Sequence, residues 1–188
     1  RKRIGIYYST TLSFILMRHF LTILMLVLCS SIAYAQQVYQ FHLDSLKHAV
    51  EVASEDTNKV KLLNELSSLY VWSYADTSIS YSQQALNLAE KLNYEPGLLS
   101  AQYNMGLALT TMGNYPRALD LGFKQLAIAQ RRNDMVSVLL SYVVIVICYR
   151  EQGDYNNALS YNREAQRVQE HSYLKDNLVF RGSFLTGR

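Results

Sequence analysis

The 188-residue sequence predicts an all-α fold, a right-handed solenoid of antiparallel helix hairpins. Three observations carry this. Met112-Gly113-Asn114-Tyr115-Pro116-Arg117-Ala118-Leu119 returns forty residues later as Gln152-Gly153-Asp154-Tyr155-Asn156-Asn157-Ala158-Leu159, with Gly, Tyr, Ala and Leu unchanged. The same step extends outward: Tyr81, Leu121 and Tyr161 fall in line, as do Leu88, Ile128 and Val168, and Ala85 and Ala165 across Gln125. Between the repeated segments, apolar residues recur at helical spacing. The register gives about three helix pairs, preceded by one helix and followed by an incomplete fourth repeat.

The N-terminal residues read as a leader. Met17 to Ala35 has a basic start at Arg18, an apolar run from Phe20 to Cys29, and Ala33-Tyr34-Ala35. That is the pattern of a secretory signal peptide cut after Ala35. A retained membrane anchor is the alternative, although spanning a bilayer takes about 20 apolar residues. Residues 1–16 precede Met17 and read as translation upstream of the true start. Leu28 before Cys29 is too bulky for a lipoprotein signal. Residues 36–55 follow as an N-terminal helix, with Leu46 and Ala49 forty residues before Leu86 and Ala89.

The repeat region, 56–188, is then taken pair by pair. In the first, Leu62, Leu66, Leu69 and Tyr70 make one amphipathic helix. Asp76 is expected to cap its partner, which runs through Tyr81, Ala85, Leu88 and Ala89. The turn Trp72-Ser73-Tyr74-Ala75 lacks glycine, and the first helix looks shifted by about one residue. In the second pair, Leu98 to Met112 is one helix, and Leu119, Phe123, Leu126 and Ala127 mark the other. Gly113 suits the left-handed end of a helix, Asn114 the next N-cap, and Pro116 that helix's first turn. Gly153 and Asp154 repeat this punctuation in the third pair. Ala118 and Ala158 are small where the helices of a hairpin cross. Leu174, Leu178, Val179, Phe180, Phe184 and Leu185 read as the first helix of a fourth pair whose partner is missing, so the chain is read as a fragment.

Charge and reactive residues narrow the function. Of eighteen basic residues, Arg1, Lys2, Arg3 and Arg18 lie in the leader; fourteen remain against fifteen acids, a net of −1. No basic patch argues for nucleic acid. Without Cys29, Cys148 is a single thiol in an apolar helix, read as buried and inert. His42 and His48 are six apart and face different sides of a helix, so they do not share a metal. His171 reads as a helix end, where imidazole meets the last carbonyls. Asp154 and Glu164 read as a cap and a solvated side chain rather than paired catalytic acids. No phosphate loop, zinc-binding cysteine pair or nucleophile elbow occurs, so neither enzyme activity, cofactor nor metal is expected. Of the fifteen tyrosines, Tyr81, Tyr115, Tyr155 and Tyr161 sit at recurrent positions and are expected to pack between helices.

Gly113, Tyr115 and Ala118, then Gly153, Tyr155, Ala158 and Ala165, with Met105-Gly106 and Leu109 upstream, make the chain resemble the tetratricopeptide repeat family across residues 56–170. That family's usual unit is about thirty-four residues, so the forty here imply longer helices or turns. Gln102, Gly122 and Gln125 depart from the family, which prefers larger or more apolar residues there. The resemblance implies that the first helix of each pair lines a groove for protein or peptide. By position these residues are Ser100, Tyr103, Leu107, Thr110 and Thr111, then Leu140, Val143, Ile147, Arg150 and Glu151. The leader and long repeats together resemble the exported N-terminal region of bacterial sensor kinases and transcriptional regulators. The expectation is a non-catalytic binding segment in the periplasm or envelope, sensory or scaffolding, with self-association through the open end of the stack. A stand-alone envelope scaffold is the alternative.

Overall fold

A computed structural model describes the backbone of residues 2–171 and side chains from residue 24 to residue 171. The expected fourth repeat lies outside the described residues. The chain divides into two units, 1–46 and 47–188. The first is helical throughout its described length, as part of α1 (Lys2–Val52). The expected helix within 36–55 is therefore the end of a longer one. Leu24, Met25, Leu26, Ile32, Tyr34 and Phe41 are exposed. Among the described residues no helix is long and apolar enough to cross a membrane.

The second unit is a helical repeat stack. It contains α2 (Thr57–Tyr70), α3 (Ala75–Lys91), α4 (Glu95–Thr111), α5 (Tyr115–Arg131), α6 (Met135–Glu151) and α7 (Tyr155–Glu170). From α3 to α6 each helix has 17 residues. The starts from α3 to α7 fall every twenty residues, with three-residue connections, and two such steps make the forty-residue repeat.

The connections explain this regularity. Gly113 and Gly153 take φ of 74° and 76°, and Asn93 and Asn133 take φ of 52° and 53°. Each closes the preceding helix with two reverse bonds. At Gly113, its N–H donates to the Thr110 carbonyl at 3.0 Å and the Asn114 N–H to the Leu109 carbonyl at 2.9 Å. The same pair recurs at Asn93, Asn133 and Gly153, satisfying carbonyls that a helix end leaves orphaned. Turns within hairpins therefore use glycine, and turns between them asparagine, the side chain that best tolerates this region. The first hairpin turn has no left-handed residue, which is why it lacks glycine.

Capping departs from expectation at two sites. Asp76 does not cap α3: Tyr74 holds that position without a side-chain bond, and Asp76 lies inside the first turn. Asn114 holds the N-cap position of α5 but its side chain makes no cap bond. Asp154 does cap α7, accepting from the Asn157 N–H at 3.1 Å. Those hydrogen bonds, with the Asn157 side chain, hold its carboxyl below the usual range. His171 ends α7 with Nδ1 2.8 Å from the Arg167 carbonyl oxygen. Glu164 pairs with Arg167 at 2.6 Å.

Consecutive helices pack against each other, and in addition α2 packs on α4 and α4 on α6. The first helices of the hairpins thus form one layer in which equivalent residues meet. Asn104 Nδ2 donates to the Asn64 carbonyl at 2.9 Å, and Thr111 Oγ1 reaches the Val71 carbonyl at 3.4 Å. Both pairs are forty apart, and contacts at both ends in the same sense make α2 and α4 parallel. Ala118 and Ala158 are buried at the crossings, as expected, and Ser78 holds the same place in the first hairpin. There Ser67, Ser78 and Ser82 form a buried hydroxyl cluster, with Ser67 Oγ 2.6 Å from Ser82 Oγ.

Two of the three departures from the family pattern, Gly122 and Gln125, find local reasons. A Cβ on Gly122 would lie 3.0 Å from Ile145 Cγ1, and one on Gly106 would lie 3.1 Å from Val144 Cγ1. Val144 and Ile145 occupy space that a larger residue in α5 would take. Gln125 is buried and donates to the Leu99 carbonyl at 3.1 Å. Gln102 is buried on α4. The buried stripe of α5 is accordingly Ala118, Gly122, Gln125 and Ala129, while Leu119 and Leu126 are half-buried and Ala127 is exposed rather than in the stripe.

Candidate functional site

The outward face of the first-helix layer is set by where its buried residues point. On α4, Asn104 and Thr111 meet α2, and Gly106 meets α6 through Val144. Ser100, Tyr103, Leu107 and Thr110 follow at three- and four-residue spacing on the remaining stripe. On α6, Leu140, Val143, Ile147 and Arg150 repeat that stripe forty residues on, with Glu151 beside Arg150. On α2 the equivalents of this stripe, Val60, Leu63, Ser67 and Tyr70, are buried, and the exposed Lys61, Glu65 and Ser68 stand where α4 has the buried Ala101, Met105 and Ala108, on a different side of the helix.

The predicted positions differ in how much they offer. Ser100, Thr111, Arg150 and Glu151 are exposed, and Tyr103, Leu140, Val143 and Ile147 are half-buried. Leu107 and Thr110 are only 6% and 7% exposed. Leu107 lies in a core cluster with Val71, Met105, Val144 and Cys148, against which Tyr103, Val143 and Ile147 pack. The centre of the face is therefore a continuous apolar surface from α4 to α6. Arg150 and Glu151 pair at 2.8 Å at its end.

Aromatic pairs join neighbouring helices elsewhere in the stack. Tyr161 stacks on Tyr149 with centroids 5.6 Å apart and meets Phe123 edge-on at 5.7 Å. Tyr81 stacks on Tyr70. Tyr115 is half-buried as expected, whereas Tyr155 is 69% exposed and does not pack between helices. Burial pushes the Tyr103 hydroxyl above its ordinary pKa. Cys148 is fully buried, and desolvation pushes its thiol up to about 12, which keeps it protonated and unreactive at neutral pH. Among the described residues, no cluster of three His, Cys, Asp or Glu could hold a metal ion.

A second signal went unread in the sequence. Glu55 and Glu95 are forty apart and begin the first two hairpins. Lys91 pairs with Glu55 at 2.6 Å, and Arg132 pairs with Glu95. Each pair joins the start of a hairpin's first helix to the end of its second. The hydrogen bond and charge of Lys91 hold the Glu55 carboxyl below the usual range.

Comparison with known proteins fits this geometry. The sequence profile of the SusR N-terminal TPR domain matches residues 31–179. The chain belongs to that family. This TPR domain is also similar in structure to the protein of "Crystal Structure of the Apo Form of RapI", with a TM-score of 0.58 and 24% identity over 78% of the chain. It spans 45% of that protein's length, and at this identity the likeness concerns the fold alone. No curated protein matches the sequence. The TPR stack is an interaction scaffold, built from repeats whose extended faces bind proteins or peptides.

Proposed function

We propose that this TPR domain is a non-catalytic receptor for a protein or peptide, and that it forms the extracytoplasmic sensory or scaffolding segment of a bacterial signalling protein. One observation carries the binding part: packing of α4 on α6 presents one face, apolar at its centre and polar at its ends. A face of that kind accepts an extended or helical peptide. The groove consists of Ser100, Tyr103, Leu140, Val143, Ile147, Arg150 and Glu151, floored by Leu107 and Thr110.

The binding reading is tested by selecting peptides from a displayed random library on the full chain. Enriched peptides should lose binding to Val143→Ser/Ile147→Ser and keep it with Lys124→Ala, on the opposite layer. Equal binding to both variants would overturn the groove assignment.

Export rests on the basic start, apolar run and Ala33-Tyr34-Ala35, supported by the exposure of Leu24, Met25, Leu26 and Ile32. N-terminal sequencing of exported material should begin at Gln36. The signalling role rests on resemblance. A second apolar span and an output domain encoded downstream would support it, and a stop codon soon after two more helices would favour a stand-alone scaffold.

A further inference from the structure

The hydroxyl protons of the face described above are already committed. Ser100 Oγ donates to the Pro96 carbonyl at 3.1 Å. Thr110 Oγ1 donates to the Leu107 carbonyl at 2.6 Å, and Thr111 Oγ1 to the Ala108 carbonyl at 2.7 Å. A hydroxyl has one proton, so these three have none left to donate to a ligand. Tyr103 differs. Its ring packs on the buried cluster that contains Leu107, as Val143 and Ile147 do, and its hydroxyl has no hydrogen-bond partner among the described residues.

Charge is cancelled as well. The outward face carries no charge on the middle of α4 and the Arg150–Glu151 pair on α6. One positive and one negative group leave no net field to attract a carboxylate, a phosphate or a basic segment. Binding a charged peptide here would strip its hydration without an opposing charge, which costs far more than burying an apolar side chain. Aliphatic contact on Leu140, Val143 and Ile147 remains, with a single hydroxyl able to donate.

We infer that the groove selects an uncharged, aliphatic face of a peptide, and that Tyr103 determines specificity by donating to one backbone carbonyl of that ligand. This rests on the groove reading of the preceding subsection. Leu140, Val143 and Ile147 fall at i, i+3 and i+7 on α6, the spacing of anchors along a helix. The partner of matching chemistry is an amphipathic segment with leucine- or valine-like side chains and a neutral polar face.

The test uses the full chain and two synthetic probes. One is an amphipathic peptide of leucine against glutamine and serine. The other has its central leucines replaced by glutamate. The neutral probe should bind with affinity that changes less than about twofold between roughly 50 mM and 500 mM salt, because no charge is there to be screened. The glutamate probe should bind at least about tenfold more weakly, the cost of a charge desolvated without a partner. Tyr103→Phe should lose about three- to tenfold for the neutral probe, the loss of one hydrogen bond. Val143→Ser/Ile147→Ser should abolish the difference between probes, with circular dichroism confirming that both variants stay folded. Tight, salt-sensitive binding of the glutamate probe, lost in Val143→Ser/Ile147→Ser, would overturn the ligand class and leave the groove standing. Binding of either probe unaffected by every groove variant would overturn both. Wild-type affinity in Tyr103→Phe would remove Tyr103 from recognition.

Discussion

Gly97→Ala is the substitution that most sharply probes how the first two repeats meet. A Cβ there would lie 2.4 Å from Val60 Cγ1 and 2.6 Å from Tyr94 Cδ1, closer than side-chain atoms approach. Gly97 is inside α4, where alanine is ordinarily better by about 1 kcal/mol. Overpacking of this kind costs about 1–3 kcal/mol. If α4 withdraws instead, it loosens Asn64 Nδ2 to the Gly97 carbonyl, 3.0 Å, and Asn104 Nδ2 to the Asn64 carbonyl, 2.9 Å. Each such bond contributes about 0.5–1.5 kcal/mol net. The balance is a loss of about 1–3 kcal/mol, which for a domain of this size lowers Tm by roughly 2–4 °C per kcal/mol. The assay is urea and thermal unfolding followed by far-ultraviolet circular dichroism. Val60→Ala/Gly97→Ala should recover part of the loss, giving a double-mutant coupling of about 0.5 kcal/mol or more. A Gly97→Ala protein more stable than wild type, with no coupling to Val60, would refute the close approach of α2 and α4.

Four further outcomes follow from the same contacts. Asn93→Ala and Asn133→Ala should each cost about 1 kcal/mol in urea unfolding, because alanine is strained at positive φ, whereas the glycine variants should be neutral or better. Glu95→Ala should change stability by less than about 1 kcal/mol, since its pair with Arg132 is solvent-screened. A thiol reagent added to the native full chain should modify Cys29 and spare Cys148 until the chain unfolds. Because the folded Cys148 pKa is raised to about 12 from 9.0, the unfolded chain releases its proton first; stability should fall as pH rises between those values, and Cys148→Ala should flatten that fall.

The sequence made the repeat legible wherever one residue type was required by backbone geometry. Gly113 and Gly153 sit at positive φ, and Ala118 and Ala158 at crossings without room for more, so all four recur visibly. Asn93 and Asn133 do the same work as the glycines but were not read, because asparagine is common in solvated turns for other reasons. The ion pairs of Glu55 and Glu95 were hidden similarly among many surface charges. The polar first hairpin escaped because Ser67, Ser78 and Ser82 look like surface residues in a list, and only their mutual bonding makes them a core. At the site, helical spacing drew one stripe along α4 and its equivalent along α6. It did not separate Leu107 and Thr110, shielded by neighbouring repeats, from Ser100 and Tyr103, since shielding depends on how closely two helices approach.

The central claim is that equivalent turns of successive repeats lie side by side. Trp72, Met112 and Gln152 are exposed and forty residues apart, so nitroxide labels on cysteines there, in a Cys29→Ser background, measure the stacking directly. With helix axes about 8–10 Å apart, the 72–112 and 112–152 pairs should show the same short separation and the 72–152 pair roughly twice that. A 72–112 separation as long as 72–152, or unequal neighbouring pairs, would contradict a stack of repeats in register.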